Sequence, residues 1–186
     1  MKILGKTKIE KDFLEISFSQ LLSITGGVIA GTFLVSLIDN FGLISGLFIL
    51  FPGLLELHGN IYGSLSARLG NLLLLNELKD KKDLKHFLKH NIPAVLFLVF
   101  FVSLVLGLVS YAFVYFIFDI SNQAIVLISV LSSLLSSFFE IPLTIGTTLW
   151  VYRKGLDPED IMGPYVTTLG DIISIISITI IAGLVI

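Results

Sequence analysis

The sequence predicts an all-α integral membrane protein with five transmembrane helices, and three observations carry that expectation. Of 186 residues, 55% are hydrophobic and only 14% charged, and mean hydropathy is strongly positive, a balance that soluble domains do not tolerate. Apolar stretches of span length recur along the chain, and a bilayer core about 30 Å thick needs roughly 20 apolar residues per helix. Basic residues fall on alternate connections, the asymmetry that orients membrane helices.

Residues 1–15 form an amphipathic segment in which Ile3, Ile9, Phe13 and then Ile16 stand at helical spacing among Lys and Glu. Such a segment reads as a helix on the cytoplasmic surface, or as an extension of the first span. The spans are read at 16–38, 43–75, 92–118, 123–152 and 161–186, making one transmembrane domain over 1–186. The first is of span length and follows a charged stretch, so it is expected to stay in the mature protein. Gly27 with Gly31, and Gly42 with Gly46, are small-residue pairs suited to close helix packing.

The second span is too long for the bilayer, since roughly 33 residues at 1.5 Å each give about 50 Å. A break is expected at Pro52-Gly53 or at His58-Gly59-Asn60, and another in the fourth span at Glu140-Ile141-Pro142. Broken helices at membrane depth survive only against protein or water, and they point to substrate sites.

Of the twelve Lys and Arg, Lys2, Lys6, Lys8 and Lys11 precede the first span. Lys79, Lys81, Lys82, Lys85 and Lys89 lie between the second and third, and Arg153 and Lys154 between the fourth and fifth. The connections around Asp39-Asn40 and from Asp119 to Asn122 hold none. The N-terminus is therefore expected in the cytoplasm, the C-terminus outside, and the protein in the plasma membrane as a multi-pass chain. A net charge of −2 gives no ground for a nucleic-acid partner, and the absence of Cys leaves oxygen ligands for any metal.

Four ionisable residues fall inside the spans: Glu56, Arg68, Glu140 and Asp171. Each is costly against lipid and belongs in a protein interior or aqueous cavity. Arg68 is read as structural, bridging one acid or snorkelling. Three carboxylates against one guanidinium leave a site whose missing positive charge would arrive as a cation. Pro164, Thr167, Thr168, Asp171 and Ser174 follow helical spacing and form an oxygen-bearing stripe, although Thr and Ser can also bond back to their own helix. A homodimer with its axis along the path would bring two Asp171 carboxylates to one divalent cation. Magnesium (Mg2+), which dehydrates reluctantly, suits such a site. His86 and His90, four apart in the Lys-rich linker 76–91, form a possible imidazole pair, but no third ligand accompanies them.

The segment from Pro52, PGLLELHGNIYGSLSARLG, resembles the Pro-x-Leu-Leu…Gly-Asn…Leu-x-x-Arg-Leu signature of MgtE-type magnesium transporters and their eukaryotic solute-carrier relatives. Gly155 to Asp171, GLDPEDIMGPYVTTLGD, is similar to that family's Asp-Pro…Pro-x-x-Thr-Thr-x-x-Asp motif. The resemblance implies an MgtE-like transmembrane module and a dimeric pore, with the ion at Asp171 helped by main-chain oxygen near Thr167 and with Gly59-Asn60 lining the same path. Glu56 and His58 depart from the small or basic residues expected there. The family's large cytoplasmic sensor domains are expected to be absent, leaving regulation to a separate cytoplasmic protein.

The expected activity is thus divalent cation transport rather than enzymatic catalysis. Asp171, Thr167, Glu56 and Glu140 are the candidate metal ligands. Asn60, Gly59, His58, Thr168, Ser174 and Pro164 would line the path, and Arg68, Pro52 and Pro142 are structural. Three alternatives stand beside it. One is a proton-coupled exchanger of Mg2+, Mn2+ or Co2+ working through Glu56 or Glu140. Another is a lipid head-group enzyme using Asp157, Glu159 and Asp160, acids that equally suit a helix N-terminus. The third is a scaffold subunit without transport.

Overall fold

Long apolar runs with few breakers make long helices, and in the computed structural model five of them account for most of the chain. Residues 2–41, 46–78 and 80–185 are described, with side chains for 10–35, 46–78 and 80–185. The helices are α1 (Lys2–Phe41), α2 (Leu47–Leu74), α3 (Lys81–Phe118), α4 (Ala124–Arg153) and α5 (Pro158–Val185). Four are long and apolar enough to cross a membrane: α1 within Glu10–Val35, then α3, α4 and α5. The 28-residue α2 is interrupted by Glu56, His58, Asn60, Arg68 and Asn71, which lower its apolarity.

Of the two readings of 1–15, the structure has the extension of the first span rather than a separate surface helix: the segment is the first part of one continuous α1. No Gly or Pro occurs between Gly5 and Gly26, so nothing ends the helix where the surface segment was to stop. The expected breaks in the second and fourth spans are absent as well, because α2 runs unbroken through Pro52 and Gly59 and α4 through Pro142. The glycines serve packing. A Cβ on Gly53 would lie 2.5 Å from Leu106 Cδ1, and one on Gly59 3.0 Å from Thr167 Cγ2. Both are places where a neighbouring helix comes close. The expected second-span start at Leu43, and the partner glycine Gly42, lie outside the described residues.

The linker 76–91 is also shorter than expected. Helix α3 begins at Lys81, where the Asp80 backbone N–H donates to Asp83 Oδ2 at 3.1 Å, one half of a capping box. Pro93 therefore lies inside a helix. At the other end of the bundle's sequence, α4 closes with Gly155 at φ 72°. Leu156 N–H bonds to Val151 O at 3.3 Å and Gly155 N–H to Tyr152 O at 2.9 Å, the Schellman arrangement.

Helix α5 is central. It packs on α1, α2 and α4, while α3 covers α2 and α4, and among the described residues α1 packs on no helix but α5. Leu50, Leu54, Ile125, Ile128, Ile175 and Ile178 fill one end of the bundle, and Leu65, Leu69, Leu73 and Phe87 the other. The outer surface stays apolar: Phe116 is 80% exposed, a posture suited to lipid rather than water. Lys11 Nζ donates to Gly155 O at 3.0 Å and Ser19 Oγ to Asp160 O at 3.2 Å, so the early part of α1 and the α4–α5 connection share one end.

Candidate functional site

Where α2 and α5 meet, one flank of the pair remains open. On α2, Pro52, Glu56 and Asn60 recur every four residues and are all exposed, and Asn60 Nδ2 donates to Glu56 Oε1 at 3.0 Å. On α5, Thr167 is exposed and Asp171, one turn later, is half-buried. The close approach of Gly59 to Thr167 joins the two rows into one patch. Thr167 Oγ1 lies 3.0 Å from Pro164 O and 3.2 Å from Gly163 O, so its proton is used within the helix while its lone pairs face outward. Glu56 and Asp171 are within electrostatic reach of one another, and neither forms an ion pair with a described Lys, Arg or His.

The expected stripe on α5 divides. Its five positions fan over about 120° of the helix at 100° per residue, and neighbours pack on both sides. Thr168 turns to α1, 2.9 Å from Ser23 Oγ. Ser174 turns inward, 2.6 Å from His58 Nδ1. Only Pro164, Thr167 and Asp171 remain toward the open flank. His58, expected on the path, is 1% exposed and stacks on Tyr62 with ring centroids 5.9 Å apart.

Glu140 is on the other side of Asp171, in the interior. It is within electrostatic reach of Asp171 but only 3% exposed, and neither carboxylate oxygen has a hydrogen-bond partner among the described residues. Around it runs a seam of buried hydroxyls that the sequence reading passed over: Ser129, Ser133, Ser136, Ser137, Thr144 and Thr148, all on one face of α4. Tyr62 OH donates to Ser137 Oγ at 2.7 Å, and Ser66 and Thr148 hydroxyls meet at 2.9 Å, tying the seam to α2. The signal was available in the i, i+3, i+4 recurrence of Ser and Thr through an otherwise apolar run.

Arg68 forms no ion pair with a described acid. It is exposed, three turns and about 18 Å along α2 from Glu56. His86 and His90 have ring centroids 4.4 Å apart, and His90 Nδ1 bonds to His86 O at 2.8 Å. Among the described residues of one chain, no three His, Asp or Glu side chains converge on a metal-sized space, here or at the acidic flank. Asp157 Oδ1 accepts from Glu159 N–H at 2.9 Å, which is helix-capping work at the start of α5.

Apolar helices of span length define a multi-pass membrane protein, and the carboxylates of Glu56 and Asp171 between them have no ion-pair partner among the described residues. The MgtE family model, described as a divalent cation transporter, matches residues 51–181. The chain belongs to that family of transporters. The match runs over α2 to α5 and both motifs of the open flank. No curated protein and no solved structure matches the chain.

Proposed function

We propose that the chain carries magnesium across the plasma membrane as a homodimer, with all five helices spanning, the N-terminus in the cytoplasm and the C-terminus outside. The hydrated ion is held by Asp171 from each copy, with the oxygens of Thr167 and the carboxylate of Glu56 beside it, and Pro164, Gly59 and Asn60 line the path. The observation that carries this reading is the open flank itself. Two carboxylates without a basic partner among the described residues share a patch that the described parts of the other helices leave uncovered. Two copies meeting there would double the carboxylates around one ion, and an ion that keeps its waters needs no close cage of three side chains. Regulation falls to a separate cytoplasmic protein.

Flux into proteoliposomes with Mg2+, Mn2+ and Co2+ tests the reading. Magnesium is expected to enter through the native chain and not through Asp171→Ala. Equal magnesium flux through both would remove Asp171 from the path.

A further inference from the structure

Among the described residues α1 packs on α5 and not on α4, which leaves a groove between α1 and α4 with α5 as its floor. The groove holds a cavity of about 390 Å³. Phe18 and Leu22 form the α1 wall, Trp150 stands on the α4 wall, and Ile161, Tyr165 and Leu169 recur every four residues along the floor. Phe18, Leu22 and Trp150 are all exposed, so the groove opens outward toward the bilayer. Its hydroxyls are already engaged with the protein. Thr147 Oγ1 donates to Tyr165 OH at 3.0 Å, the Thr168 and Ser23 hydroxyls meet at 2.9 Å, and Ser19 Oγ donates to Asp160 O at 3.2 Å. What remains for a ligand is hydrocarbon surface, which water does not fill and an acyl chain does.

The groove is separate from the open flank. At 100° per residue, Tyr165 stands about 120° and Leu169 about 160° round α5 from Asp171, with Thr168 and α1 in between. A second copy seated on the flank therefore leaves the groove uncovered. Charge at one rim narrows the occupant further. Lys154 Nζ lies 5.9 Å from the centroid of the Trp150 ring, and Lys154 forms no ion pair with a described acid. No acidic side chain lines the groove; Asp12, Glu15 and Asp157 line a different cleft, with Leu74 and Tyr152. An indole at the edge of hydrocarbon beside a free ammonium matches the two parts of a lipid, chain and phosphate. A choline or ethanolamine headgroup would bring a second cation to Lys154, whereas a headgroup of net negative charge complements it. We propose that an anionic glycerophospholipid lodges one acyl chain in the groove between α1 and α4 and sets its phosphodiester against Lys154, beside Trp150. The lipid gives α1 the second neighbour that the described helices do not supply.

Trp150 is the one tryptophan of the chain, so its fluorescence reports from the groove wall. The test titrates the purified full chain in detergent with phosphatidylglycerol carrying a brominated acyl chain, which quenches indole on contact. Quenching is expected to saturate, with brominated phosphatidylcholine needing about fivefold more lipid. Lys154→Ala is expected to raise the half-saturating phosphatidylglycerol about fivefold and to abolish the difference between headgroups. Lys89→Ala, which removes the same charge from an exposed position on α3, should leave the curve unchanged. Leu169→Phe, which fills the floor, is expected to lose most of the quenching; if it does not fold, Leu22→Phe on the exposed wall takes its place. Quenching that rises in proportion to bromolipid without saturating would overturn the proposal, as would equal curves for the two headgroups or a native curve in Lys154→Ala. A full plateau in the phenylalanine variant would do the same. So would no quenching by either lipid, the result expected if a second copy fills the groove. None of these readouts uses ion flux, so failure here is distinct from failure of the transport reading.

Discussion

Asp171 and Glu140 are close enough to feel each other's charge, yet their surroundings differ in every respect that matters chemically. Asp171 is half-buried on a flank left open by its own chain, beside Glu56, Asn60 and Thr167. Glu140 is 3% exposed, on the face of α4 that also holds the buried serines, with Thr144, Tyr165 and Gly170 among its neighbours. The first environment is open to water and ions; the second is closed off from both. Two acids about equally deep in a sequence of spans thus meet different surroundings, because Glu140 is on the buried face of α4 while Asp171 is at the edge of the face that α5 leaves open.

The largest expected effect breaks that comparison at Asp171. Asp171→Asn keeps the shape and removes the charge, so magnesium flux in proteoliposomes is expected to fall to background while stability changes by less than about 0.5 kcal/mol. A marked loss of Tm with flux retained would mean the open flank is structural. Next comes Gly170→Val, which drives a branched side chain against Glu140 and His58 and is expected to cost about 3 kcal/mol. Thermal unfolding reads it, and a neutral result would show that α5 does not press on the seam.

Ser174→Ala is a milder probe of the buried side. It strands His58 Nδ1, whose partner at 2.6 Å is the Ser174 hydroxyl, at an expected cost of about 1–3 kcal/mol in unfolding measurements. Magnesium flux per folded protein should survive. The smallest effect is expected from Asn60→Ala, which removes the donor 3.0 Å from Glu56 Oε1 on an exposed surface. Stability should move by less than about 0.5 kcal/mol, with only a modest fall in flux rate at limiting magnesium. A complete loss of flux would place Asn60 among the ligands.

Much of the helical frame was legible, because apolar runs such as 92–118 and 161–186 leave few other choices in a bilayer. Helix continuity was not. Pro52, Pro142 and Gly59 read as breakers, yet a proline removes one backbone bond while a packed helix retains the rest, and Gly59 is where α5 comes close. For the candidate site, the Asp171 turn and the Glu56 and Asn60 row could be found from ionisable and polar residues inside spans. The fate of Thr168, Ser174 and His58 could not: sequence spacing puts Thr168 and Ser174 on one broad face of α5 with Asp171, and only the placement of α1, α2 and α4 decides which edge of it is covered and that His58 of α2 turns inward. The seam on α4 was visible in the serines and passed over because neutral hydroxyls draw less notice than charges.

The single seam of α1 has a mechanical consequence. At Gly26 this helix lies against the Thr168 methyl with no space for one more carbon, and Ser23 meets the Thr168 hydroxyl a turn away. Among the described residues α1 packs on α5 alone of the helices, and Lys11 and Ser19 tie it to the α4–α5 connection and the start of α5, so any displacement of α1 is borne by that connection and by Thr168, next in the chain to Thr167.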